Sequence, residues 1–191
     1  MSAKERFPVL TESQMTDAQK KAAKEFAEGR GYAVRGPFAV LLRSPEVMLR
    51  AKAMGDYLRF KSSIPPHLNE FAICITARFW GQNYEWHAHR PLAEKAGLKA
   101  EIADAIAEGR RPRGMSDDEE IIYDYSTELH VHRAVSDATF KRALDRFGEQ
   151  GVIDLTAVNG YYTFIAMALN VGRVALPAGA TPGLKPLVAG D

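Results

Sequence analysis

Glu70-Phe71-Ala72-Ile73-Cys74-Ile75-Thr76-Ala77-Arg78-Phe79-Trp80-Gly81-Gln82-Asn83-Tyr84-Glu85-Trp86-His87-Ala88-His89 is the one stretch of this chain in which acids, histidines, tryptophans and an interrupting glycine crowd together. Leu68, Phe71, Ala72, Ile75 and Phe79 fall at spacings of three and four, the period of a helix with one buried face. Glu85 and His89 lie four residues apart, so on a helix they share a face within reach of one substrate, proton or metal. On a single unbroken helix Glu70 would sit roughly 28 Å from His89 along the axis. Glu70 joins the pair only if the chain turns back near Trp80 and Gly81, and glycine is the residue that tolerates such a break.

The flanking sequence is helical by the same criteria. Thr16-Asp17-Ala18-Gln19 has the form of a capping box, predicting a helix over 17–28 that Gly29 and Gly31 stop. Gly36-Pro37 opens the apolar run Phe38 to Leu42, and Ser44-Pro45-Glu46 begins a helix over 45–62. Ile64-Pro65-Pro66 restarts the chain before Glu70. Beyond Gly81 the helix of Glu85 and His89 continues to Gly97, with Pro91 marking a kink or a late first turn. A short helix over 98–108 carries Ile102, Ala103 and Ile106, and the basic loop 110–114 follows as the one hinge. Ser116 to Glu119 forms a second capping box, and Ser136 caps a segment bearing Phe140, Leu144 and Phe147. No stretch alternates with period two. The chain reads as all-α, with seven or eight helices.

Three parts follow: an N-terminal arm over 1–15, a helical domain over 16–175, and a Pro/Gly-rich tail over 176–191. The tail is too rich in breakers to be helical, and is expected as a disordered end or an arm on a neighbouring subunit. Val152 to Val174 approaches membrane-spanning length but carries Asp154, Asn159, Asn170 and Arg173, so it reads as a buried or interface helix rather than a membrane span. Its apolar surface exceeds what one monomer's core needs, so a charge at Ile165 or Leu169 is expected to dissociate or unfold the protein.

A chain of 191 residues can bury ~70% of its unfolded surface, so it needs no staples. With 25 Lys plus Arg against 24 Asp plus Glu, no broad field favours nucleic acid or an anionic membrane. Cys74, the only cysteine, can form neither an intrachain disulfide nor a Cys-x-x-Cys couple, and its apolar neighbours mark it as a small buried hydrophobe. The N-terminus lacks the apolar core of a secretory signal, and a cytoplasmic protein is expected.

Glu85 and His89 read blandly would be a solvated pair contributing a few tenths of a kcal/mol. Trp80, Tyr84 and Trp86 argue otherwise, since aromatic bulk desolvates a carboxyl and raises its pKa. His87 points about 200° away from Glu85 and is assigned a structural role. His87-Ala88-His89 and His130-Val131-His132 have a spacing that converges on strands and diverges on helices, which leaves open only a metal site assembled between helices. Arg110, Arg111 and Arg113 read as a solvated loop, whereas Arg78, close to Gly81, is the better anchor for a substrate carboxylate. Tyr161 and Tyr162 read as core.

Glu70, then Gln82, Glu85 and His89, with Ala93 and Gly97-Leu98 following, resembles the signature helix pair of the carboxymuconolactone decarboxylase and AhpD-like alkylhydroperoxidase superfamily. The peroxidase branch carries Glu, a Cys-x-x-Cys pair and His; here Gln82 and Glu85 stand at the cysteine positions, so the redox chemistry does not carry over. The run from Gly36-Pro37-Phe38 through Ser44-Pro45-Glu46 to Gly109 is similar to cysteine-free members. The resemblance implies an AhpD-like helical bundle that acts as a cofactor-free decarboxylase on a carboxylated lactone or related small acid from aromatic breakdown. Glu70, Glu85 and His89 would be catalytic, Arg78, Gln82 and Trp86 would contact the substrate, and no metal would be needed. It further implies a homo-oligomer, a trimer or a hexamer of paired trimers, with the site near a subunit boundary. The alternative is a member that lost its Cys-x-x-Cys pair and serves as a binding protein or another lyase or isomerase.

Overall fold

A computed structural model describes residues 4–185, so the expectation for the end of the tail lies outside the described residues. Eight α-helices follow one another: α1 (Asp17–Arg30), α2 (Pro37–Leu41), α3 (Pro45–Phe60), α4 (Pro66–Phe79), α5 (Asn83–Ala96), α6 (Ala100–Ala107), α7 (Asp117–His132) and α8 (Asp137–Gly172). No strand occurs among the described residues. The expected caps form where backbone donors need them. Gln19 N–H donates to Thr16 Oγ1 and Glu119 N–H to Ser116 Oγ, while the Gln19 and Glu119 side chains accept from the cap residues' own N–H groups. Ser44 makes no side-chain cap bond, and α3 starts instead on the preset φ of Pro45. α1 passes through Gly29 and stops at Gly31, which takes the left-handed conformation.

α4 is the hub of the bundle, packed against α5, α7 and α8. The expectation of one buried face is exceeded: Ile73, Cys74 and Thr76 are buried along with Leu68, Phe71 and Ala72. The run Phe71 to Ile75 is apolar on every side, as suits the centre of a bundle, whereas Phe79, expected on the buried face, is 47% exposed. α5 runs unbroken through Pro91, which has no N–H to bond the carbonyl of His87. α8 bends at Gly148 (φ 68°, ψ 178°), a break the apolar period on either side does not announce.

One expectation is corrected. The tail up to Lys185 folds onto its own subunit: Leu184 is buried, Leu184 N–H donates to Asn83 Oδ1, and Lys185 N–H donates to Ala107 O. A segment without internal hydrogen bonds can still be ordered when its backbone groups find partners on helices already formed. On α8, Ile165 and Leu169 are core residues, at 3% and 0% exposure, so of the two expected outcomes of a charge there burial favours unfolding. The stripe that faces outward is Ile153, Phe164, Met167 and Val171, on one helical face, with no charged residue from 155 to 172. By length and composition α8 could cross a membrane, but over half of its apolar window is buried inside this bundle.

Leu169→Glu is expected to cost about 3–5 kcal/mol of stability, because it places an unpaired charge in the core. Val171→Glu, two residues on, should stay within about 0.5 kcal/mol as long as subunit contacts are not part of the folded state. Urea unfolding of the two variants measures the difference.

Candidate active site

The reversal between α4 and α5 is made in three residues. Gly81 takes φ +59°, Gln82 N–H donates to Ala77 O, and the Gln82 side chain caps α5 by accepting from Tyr84 N–H at 2.8 Å. α5 therefore runs back along α4, and Glu70 meets His89: Nδ1 of His89 lies 2.7 Å from Glu70 Oε2, with both side chains almost wholly buried. With a carboxylate as acceptor, the proton of this bond sits on Nδ1. Nε2 is then the nitrogen left for chemistry.

His89 lines a cavity of about 920 Å³ bounded by α1, α3, α5 and α8. Glu85 lines it too. The Glu85 carboxyl is 2% exposed and neither oxygen has a hydrogen-bond partner among the described residues. Burial pushes its pKa well above the ordinary 4.5, so the neutral acid is favoured. Glu85 and His89 are thus on one face and at one cavity, but they do not bond to each other. Glu70 stands behind the imidazole and does not line the cavity.

Arg78, Gln82 and Trp86, expected as substrate contacts, are absent from the cavity wall. Arg78 is buried and donates through Nη1 to the carbonyl of Lys185. Gln82 donates from Nε2 to Asn170 Oδ1 at 2.8 Å while capping α5, so both ends of its amide are occupied. Trp86 is packed beneath the tail, so close that a Cβ on Gly183 would lie 2.6 Å from its Nε1. All three hold the hairpin and the tail together. His87, assigned a structural role by its angle, lies exposed at the cavity rim. His130 bonds Thr76 Oγ1 and stacks on Phe79, away from His89, and no group of three or more His, Cys, Asp or Glu among the described residues is placed to hold a metal. Cys74 is fully buried in α4, its thiol pKa pushed up by burial.

Sequence reasoning missed the opposite wall. Tyr161, Tyr162, Arg30 and Arg59 line the cavity. Tyr162 stands edge-on to the His89 ring at 4.9 Å, and burial pushes both tyrosine pKa values up, so both phenols stay protonated. The available signal was Gly55 in the middle of α3: a Cβ there would lie 2.4 Å from Tyr161 Oη, so the glycine makes room for the phenol.

No protein-family model matches the sequence, and no curated protein matches it. Among solved structures the chain is similar to an AhpD-core, uncharacterized peroxidase-related protein from Ralstonia eutropha JMP134, at TM-score 0.72 and 16% identity over 91% of this chain and 93% of that one. It is also similar to a variant of the debrominase Bmp8 in complex with 2,3,4-tribromopyrrole, at TM-score 0.70 and 13% identity over 93% of this chain and 95% of that one. The fold is the AhpD-like helical fold implied by the motif. At these identities the likeness is one of fold.

Glu85 also links stability to pH. Its folded pKa lies above the unfolded 4.5, so its contribution is full below about that value and is lost as pH rises through the folded pKa. Urea unfolding at pH 5 and pH 8 should show the wild type losing more stability across this range than Glu85→Gln, whose side chain cannot ionise. Equal losses would place the ionised form of Glu85 at no disadvantage in the fold.

Proposed function

We propose that this chain is an acid–base enzyme that needs no cofactor, a decarboxylase of the carboxymuconolactone type acting on a small carboxylated lactone or related acid. The observation that carries the reading is the meeting, at one cavity, of a buried carboxyl without a hydrogen-bond partner and an imidazole whose far nitrogen is pinned by Glu70. Such a pair can supply a hydrogen-bond donor and a proton donor to one substrate.

In the proposed reaction the substrate's carboxylate leaves as carbon dioxide, and the electron pair of the broken bond passes into a conjugated lactone carbonyl. The dienolate that results needs a hydrogen-bond donor at its oxygen and a proton at carbon. Neutral Glu85 supplies the donor. His89, oriented by Glu70, delivers the proton from Nε2 and recovers it from solvent. The substrate's own carbonyl is the electron sink. An isomerase working on a similar acid would draw on the same groups.

A thiol mechanism of the peroxidase kind has no residue to support it here. Gln82 and Glu85 occupy the cysteine positions of the motif, and Cys74 does not line the cavity. The uncharged outward stripe of α8, Ile153, Phe164, Met167 and Val171, supports self-association as a trimer or hexamer.

His89→Gln should retain the fold and lower turnover by ~10²–10⁴, with Glu85→Gln in the same range. Because the groups act as a unit, the double variant should lose far less than the product of the two single losses. Steady-state kinetics on a carboxylated lactone series tests this. A full rate in His89→Gln would leave the cavity a binding site rather than a catalytic one. Cys74→Ala should cost about 1 kcal/mol through lost packing and leave activity in place; activity lost at unchanged stability would restore a redox role.

A further inference from the structure

Three arginines and three acids line the cavity: Arg30, Arg35 and Arg59 against Glu5, Asp56 and Glu85. Asp56 is already shared by two cations, Arg30 at 2.6 Å and Lys52 at 2.8 Å. Glu5 accepts from the backbone N–H of Ala175, and burial favours the uncharged form of Glu85. Arg35 lies over the Tyr32 ring at 4.4 Å. Arg59 lies over the Phe60 ring at 5.0 Å; among the described residues it has no ion-pair partner and no side-chain hydrogen bond, and its Nε, like that of Arg30, is buried without a partner. A half-buried guanidinium with an empty donor is a charge waiting for an anion, since the unpaired donor is costly until one arrives.

Its position suits the chemistry. Arg59 lies one helical turn beyond Gly55 on α3, and Tyr161 Oη packs against Gly55. Tyr161 meets Tyr162 edge-on at 5.2 Å, and Tyr162 meets His89 edge-on at 4.9 Å. The two phenols, neither bonded to the protein among the described residues, thus bridge the wall between Arg59 and the imidazole.

We propose that Arg59 is the specificity residue of this cavity, binding a carboxylate of the substrate and so placing its reacting carbon before His89. The assignment takes the substrate's class from the acid–base reading above and replaces Arg78 as the anchor. An arginine fork matches a carboxylate bidentately and leaves an uncharged amide of the same shape poorly held.

Benzoate and benzamide, planar probes of matched shape and different charge, test it by calorimetric titration. Wild type should bind benzoate roughly tenfold or more tighter than benzamide. Arg59→Gln should weaken benzoate by about 10- to 100-fold and abolish the preference. Arg59→Lys should fall between, because an ammonium is a point charge without the fork. Arg110→Gln, outside the cavity, should bind as wild type does. His89→Gln should keep the benzoate preference even where turnover is lost, so failure of the anchor and failure of the acid–base reading are told apart. A wild type that binds neither probe or does not discriminate, or an Arg59→Gln variant that keeps the preference, overturns the proposal. Should Arg59→Gln not fold, Arg59→Lys decides: unchanged benzoate affinity overturns it equally.

Discussion

The bond between His89 Nδ1 and Glu70 Oε2 exists only because the chain reverses within Trp80-Gly81-Gln82, and most of the molecule is arranged to hold that reversal. A left-handed residue at 81 is required there, and glycine takes it without the steric cost of a side chain. Gln82 then caps the outgoing helix and ties it to α8 through Asn170. Helix α4, buried over Phe71 to Arg78, supplies the burial that keeps both arms of the hairpin in place. A break at the turn would separate an acid from an imidazole that have no other means of meeting.

The cavity is built at the expense of stability. Both oxygens of Glu85 and Nε of Arg59 are buried without partners, and each such group costs about 1–3 kcal/mol. Arg30 Nε and Asp56 Oδ1, also on the cavity wall, are likewise buried without a hydrogen bond, as are atoms of Asn69 and Arg78 away from it. Burial favours the protonated form of Glu85, whereas the guanidinium of Arg59 keeps its charge. Tyr161 and Tyr162 line the same cavity.

What the sequence made legible is local. Capping boxes, the Gly31 stop, the turn at Gly81 and the shared face of Glu85 and His89 all depend on residues within a few positions of one another. What it hid is long-range. Arg59 sits in an ordinary amphipathic helix, and nothing about its neighbours tells that its guanidinium reaches the same space as residues nearly thirty positions on. Tyr161 and Tyr162 read as core because they are buried; burial against a cavity and burial against side chains have the same sequence pattern. Arg78 was misjudged for the reverse reason: proximity to the turn in sequence placed it beside the site, while the carbonyl of Lys185 claims it.

That carbonyl lies 107 positions beyond Arg78. Contacts of such separation require closure of a long loop and form late. While the chain is being synthesised, the α4–α5 hairpin therefore emerges with the buried guanidinium of Arg78 and the indole of Trp86 both uncovered, and stays so through the making of α6, α7 and α8. The segment at 183–185 is a closing clasp. Until it docks, the helix bearing Glu85 and His89 has an open flank.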